Sequence, residues 1–153
     1  MESLRLEGRN GQVTQGSYIL FVDLEHPAII RVGSLGLFDF EEGTYAYCGS
    51  ALNGLEGRLA RHFSDHRRKR WHIDYLLDEG RAMEALVIPS TARLECFLNR
   101  LVASMPGSRE PVRGFGSSDC RCSSHLHLLS DSGASNLRNI FSGMSVLPIN
   151  GMK

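Results

Sequence analysis

The chain has 153 residues, 42% of them hydrophobic and 22% charged, with 17 basic and 17 acidic side chains and a formal net charge of zero. That length and apolar content suit one domain with a real core and speak against both a disordered chain and a pair of domains. No stretch approaches the roughly 20 apolar residues of a membrane-spanning helix, and the opening MESLRLEGRNGQ lacks the apolar run of a signal peptide. The expectation is a cytoplasmic protein without a membrane partner.

Residues 1–15 read as a polar lead-in, 16–129 as the domain and 130–153 as a weakly ordered tail rich in Ser, Gly and Asn. Ser17 to Val22 is rich in β-formers and predicts a strand. After the turn at His26-Pro27, Ala28 to Val32 predicts a second strand. Residues 34–40 continue in extended form with Gly36 as a bend. Thr44 to Cys48 is a third strand, in which alternation puts Tyr45 and Tyr47 on one face. A helix is expected from about Leu55 to Ser64, where Leu55, Leu59, His62 and Phe63 form a stripe and Arg58 neighbours His62. His72 to Leu77 reads as a short helix or the entry to a strand, and Ala82 to Ile88 as a strand stopped by Pro89. Thr91 to Ser104 carries Leu94, Phe97, Leu98, Leu101 and Val102 at helical spacing, with Ser90 or Thr91 as cap. A loop over 108–125 precedes a last strand from Ser124 to Leu129. The sum is an α/β domain whose small, mainly antiparallel central sheet is flanked by helices.

Zero net charge conceals an uneven distribution. Arg58, Arg61, Arg67, Arg68, Lys69 and Arg70 lie close together with Asp65 as the one opposing acid, and such a local basic face can bind phosphate. The four cysteines are Cys48, Cys96, Cys120 and Cys122, expected as thiols or metal ligands in a reducing compartment. Cys120-x-Cys122-x-x-His125 has the atoms for zinc. Its spacing is tight, and Cys96 and Cys48 are the distant candidates for a fourth ligand, so we read the segment against structural zinc. The preferred reading is a loop packed on the site, with Asp119 and His125 hydrogen-bonded internally and the amides of Ser117 and Ser118 near phosphate.

Gly16-Ser17-Tyr18 and Tyr47-Cys48-Gly49 place two phenols on neighbouring strands, each beside a glycine. The further runs Gly33-x-Leu35-Gly36, Phe40-x-x-Gly43-x-Tyr45-x-Tyr47-x-Gly49-Ser50-Ala51, Gly57-Arg58-Leu59-Ala60-Arg61-His62, Trp71-His72-Ile73-Asp74-Tyr75-Leu76 and Gly114-Phe115-Gly116-Ser117-Ser118-Asp119-Cys120 follow in order. Together, from about Gly16 to Leu128, the chain resembles the GIY-YIG nuclease superfamily in its Uri-type, DUF123-like branch. The separation of Tyr18 and Tyr47 exceeds that of the compact superfamily core, which implies an extra strand between the two motifs. The resemblance implies a metal-dependent endonuclease that cuts phosphodiester bonds in nucleic acid, DNA being expected. Glu95 is then the carboxylate that holds Mg²⁺ or Mn²⁺. No asparagine stands where many relatives carry one after that carboxylate; Asn99 lies one turn along the same helix.

The chemistry of the residues fits these roles. Cleavage needs an activated water and neutralised charge on the phosphate. Tyr18 is the candidate base or water-orienting group, Tyr47 orients it or touches phosphate, and His62 accepts a proton or contacts a second oxygen. Arg58 grips phosphate with a two-pronged fork. Arg61, Arg67, Arg68, Lys69, Arg70 and His72 are candidates for the nucleic-acid backbone, although a buried structural role is the slightly favoured reading of His72. Tyr45 reads as a plain strand aromatic. The alternatives to a nuclease are a nucleic-acid-binding module of the same fold without turnover, and a zinc-stabilised interaction domain.

Overall fold

The computed structural model describes residues 7–8, 11–65 and 68–147, the first four of these by backbone alone. Arg67 lies outside the described residues. A small hairpin pairs β1 (Glu7–Gly8) with β2 (Gly11–Gln12). The central sheet has five strands: β3 (Gly16–Leu24), β6 (Gly43–Ala51), β7 (Arg81–Pro89), β8 (Leu126–Leu129) and β9 (Ser145–Val146). Their order is β8-β6-β3-β7-β9, and every pairing is antiparallel. β4 (Ala28–Arg31) and β5 (Leu37–Phe40) form a separate hairpin, so the insertion between the two tyrosine motifs is two strands with a tight turn over 33–35 between them.

β3 is apolar on both faces because helices cover both. Tyr18, Leu20 and Val22 point into one core with Leu55, Leu59 and Phe63 of α1 (Leu55–Phe63), Ile73, Leu76 and Leu77 of α2 (His72–Glu79), and Ile30 and Phe40 of the hairpin. Ile19 and Phe21 point the other way, against Leu98 and Val102 of α3 (Glu95–Ala103) and Ala134 and Leu137 of α4 (Asp131–Ile140). The result is a three-layer α/β fold with an antiparallel sheet in the middle. Among the described residues no helix is long and apolar enough to cross a membrane.

Two expectations need correction. The third helix begins at Glu95 and not at Thr91. The Ser90 hydroxyl closes a local turn onto the Ala92 amide, and the Leu94 amide is drawn to the Ser17 hydroxyl, so 90–94 leads into the helix without being part of it. The segment 130–153 is not a loose tail over its described part. Ser130 caps α4 by accepting a hydrogen bond from the Gly133 amide at 3.0 Å, α4 covers the second core, and β9 extends the sheet along β7. The lead-in is likewise anchored at its end, since the Thr14 and Gln15 carbonyls accept from the Leu55 and Ser90 amides.

Candidate functional site

The site gathers at the end of the sheet where β3 begins and β6 finishes. In the antiparallel register Tyr18 stands opposite Gly49, and Ser17 opposite Ser50. Alternation sends Tyr18 and Tyr47 to the α1 face and Ser17 and Ser50 to the α3 face. The glycines follow from this packing. A Cβ on Gly49 would lie 2.6 Å from the Tyr18 hydroxyl, and one on Gly16 would lie 2.5 Å from the Ile88 carbonyl oxygen. Each tyrosine motif needs its glycine so that a neighbouring group can occupy that space.

On the α1 face the Tyr18 hydroxyl is 2.8 Å from His62 Nε2. The two rings lie 5.6 Å apart, and Tyr47 is 6.5 Å from Tyr18 and 6.3 Å from His62 by ring centre. Tyr18, Tyr47 and His62 are all buried. Burial pushes the Tyr18 phenol up to about 12, against the lowering pull of the Arg58 guanidinium beside it. Burial raises Tyr47 still further, and the neighbouring Tyr18 adds to the rise. Tyr45 is a structural aromatic, as read: its hydroxyl donates to the Glu41 carbonyl and its ring meets Phe40 edge-on.

On the α3 face a directed hydrogen-bond chain reaches Glu95. The Leu94 amide donates to Ser17 Oγ at 2.8 Å, Ser17 and Ser50 share a 2.6 Å hydroxyl contact, and the Ser50 hydroxyl donates to the Glu95 carboxylate. Because a carboxylate only accepts, the hydroxyls must donate in that order. Arg58 joins the two faces by donating to the Ser50 carbonyl at 2.9 Å. Ser17 and Ser50 were missed as site residues. The available signal was a hydroxyl inside an otherwise apolar strand, which needs a partner when buried.

The basic residues divide. Trp71 is surrounded by cations: the guanidinium carbons of Arg58, Arg61 and Arg70 lie 4.4, 4.6 and 5.0 Å from its ring centre. Arg61 is committed inward, donating two 2.8 Å hydrogen bonds to the buried Asp74 carboxylate and a third to the Arg68 carbonyl. Asp74 Oδ2 also accepts from the Arg70 and Trp71 amides. Lys69 pairs with Asp78 at 2.5 Å and lies 5.8 Å from the Tyr75 ring. Arg68 and Arg70 are exposed. His72 is half-buried: its Nδ1 accepts from the Gly116 amide at 2.8 Å, and burial holds its pKa below the usual histidine range. A structural role therefore fits it better than backbone contact. Asn99 is buried and donates to the Ser124 carbonyl at 2.7 Å, which ties α3 to the 108–125 loop.

The reading against structural zinc at Cys120, Cys122 and His125 rests on the lack of an obvious fourth ligand, and the fold supplies a candidate. α3 brings Cys96 to the loop, so Cys96, Cys120, Cys122 and His125 present one ligand atom each, all within 4.8 Å of one another. These four residues can hold a metal ion. Spacing offers both Cys96 and Cys48 as distant candidates, and the packing of α3 on β6 and β8 selects Cys96.

The domain is thus an α/β fold with a buried tyrosine–histidine pair, a carboxylate set by two serines, and a four-residue metal-competent cluster. The chain belongs to the family described as domain of unknown function DUF123, whose profile matches residues 17–146. No curated protein and no solved structure matches it.

Proposed function

We propose that the chain is a metal-dependent endonuclease that cleaves phosphodiester bonds in DNA by chemistry of the GIY-YIG type. The observation that carries this reading is the 2.8 Å hydrogen bond between the Tyr18 hydroxyl and His62 Nε2, made beside Tyr47 and Arg58. A phenol raised to about 12 does not ionise alone at neutral pH. Joined to an imidazole, it can orient a water and hand a proton onward, with Arg58 stabilising the negative charge that develops on the phosphate. The Ser17–Ser50 chain orients the Glu95 carboxylate. A single carboxylate with a neighbouring hydroxyl is a hard-oxygen donor set that suits Mg²⁺ or Mn²⁺ completed by water and phosphate oxygens. When bound there, the ion would supply charge neutralisation at the scissile phosphate. Arg68 and Arg70, exposed beside Trp71, would track the backbone.

The test is cleavage of duplex, single-stranded, flapped and branched DNA in Mg²⁺ or Mn²⁺. Cleavage is expected, with losses of about 10²-fold or more in Glu95→Ala, Arg58→Ala and Tyr18→Phe. A wild-type protein that cuts none of these substrates overturns the proposal. One observation favours a second reading, a binding module without turnover: Tyr18 and His62 are closed to solvent. That reading predicts salt-sensitive DNA binding, weakened by neutralising Arg68 and Arg70, and no metal-dependent product.

A further inference from the structure

We infer that Cys96, Cys120, Cys122 and His125 bind one zinc ion in a closed tetrahedral site that fixes the 108–125 loop to the start of α3. This inference is independent of the nuclease reading. Three thiolates and an imidazole are a soft donor set that selects zinc over Mg²⁺ or Ca²⁺. The distances fit as well. Bonds of about 2.3 Å to sulfur and about 2.05 Å to nitrogen give tetrahedral edges of about 3.6 Å between sulfur and nitrogen. His125 Nε2 lies 3.7 Å from Cys96 Sγ and 3.4 Å from Cys120 Sγ. The imidazole thus aims one nitrogen at the thiols, and the residue's backbone is held to β6, where the Cys48 amide donates to the His125 carbonyl at 3.0 Å. Cys48 itself lies outside the group.

Four protein ligands leave no coordination position for water, which marks the site as structural and not catalytic. Its consequence lies in what the ligands are attached to. Cys96 follows Glu95 in the first turn of α3. The loop that carries the other three ligands also places Phe115 6.1 Å from Tyr47 by ring centre and sends the Gly116 amide to His72. One ion would therefore hold the Glu95 end of the helix and the cover over Tyr47 in a common frame.

The experiment is metal analysis of the full chain purified from zinc-supplemented medium under thiol reductant. Removal of the metal and titration with Co²⁺ follow. One zinc per chain is expected, and one Co²⁺ per chain should give the intense visible bands of a tetrahedral site together with thiolate charge-transfer absorption. Cys122→Ser and His125→Ala should weaken or abolish both signals, whereas Glu95→Ala and Cys48→Ala should keep them. If the two ligand variants fail to fold, the cobalt spectrum of the unaltered chain still decides. Zinc well below one per chain together with a pale, six-coordinate cobalt spectrum lacking thiolate absorption overturns the inference. So does a disulfide among these cysteines under the same reductant. Because Glu95→Ala keeps zinc while losing cleavage, the two proposals fail separately.

Discussion

Asp74 concentrates more interactions on one carboxylate than any other acid described here. Its side chain is fully buried, and burial, the largest single influence, raises its pKa. The Arg61 fork, the Trp71 and Arg70 amides and the Arg61 charge together outweigh that rise and hold the carboxyl below its ordinary 3.8. A group whose folded pKa is depressed stabilises the fold fully above its unfolded value. That contribution is lost as pH falls below about 4 toward the lower folded value. Asp74→Asn should lower stability by about 3 kcal/mol, measured by urea unfolding at neutral pH, because Arg61 would keep its charge without the buried partner. The same variant should flatten the acid limb of the stability profile. An unaltered acid limb would show that Asp74 is not the group responsible.

At the level of elements, the strands meeting at the site depend on Gly16 and Gly49 for space. Gly49→Ala would push a methyl group to 2.6 Å from the Tyr18 hydroxyl. It should break the Tyr18–His62 hydrogen bond and lower stability by about 1–3 kcal/mol. A shifted His62 imidazole resonance and a reduced melting temperature would record both effects. The cap of α4 is testable with less disturbance: Ser130→Ala should cost about 1 kcal/mol in thermal or urea unfolding, whereas a loose tail would give no change. These elements also show how far the amino-acid order could be read. β3, β6, β7 and α1 were legible because long apolar runs and helical stripes carry strong periodicity, whereas the short segment of α2 left helix and strand entry both open. α4 was not legible, because its polar segment offers little more than Ala134 and Leu137 to the core. The tyrosine and histidine positions were legible from motif and helical spacing. The serine chain and the choice of Cys96 over Cys48 as the fourth ligand were not, since both arise from pairings across the fold.

The whole molecule combines a neutral formal charge with a local cluster of cations around Trp71. Arg58, Arg61 and Arg70 are assembled around one indole, and Arg61 is pinned by Asp74 of the neighbouring α2. That arrangement makes any affinity for DNA a property of a small surface, so binding should fall steeply with salt even though the net charge is zero. A plot of log affinity against log salt should lose slope in Arg70→Gln, and a slope unchanged by that substitution would separate the patch from DNA.

The indole at the centre of those cations is also the one tryptophan in the chain. Its emission therefore comes from a single known place, with no label and no background from other indoles. A phosphate that draws Arg58 or Arg70 away from the ring should change the intensity or wavelength of that emission. On the proposed reading, that emission would report the arrival of a phosphate ligand before any bond is cut.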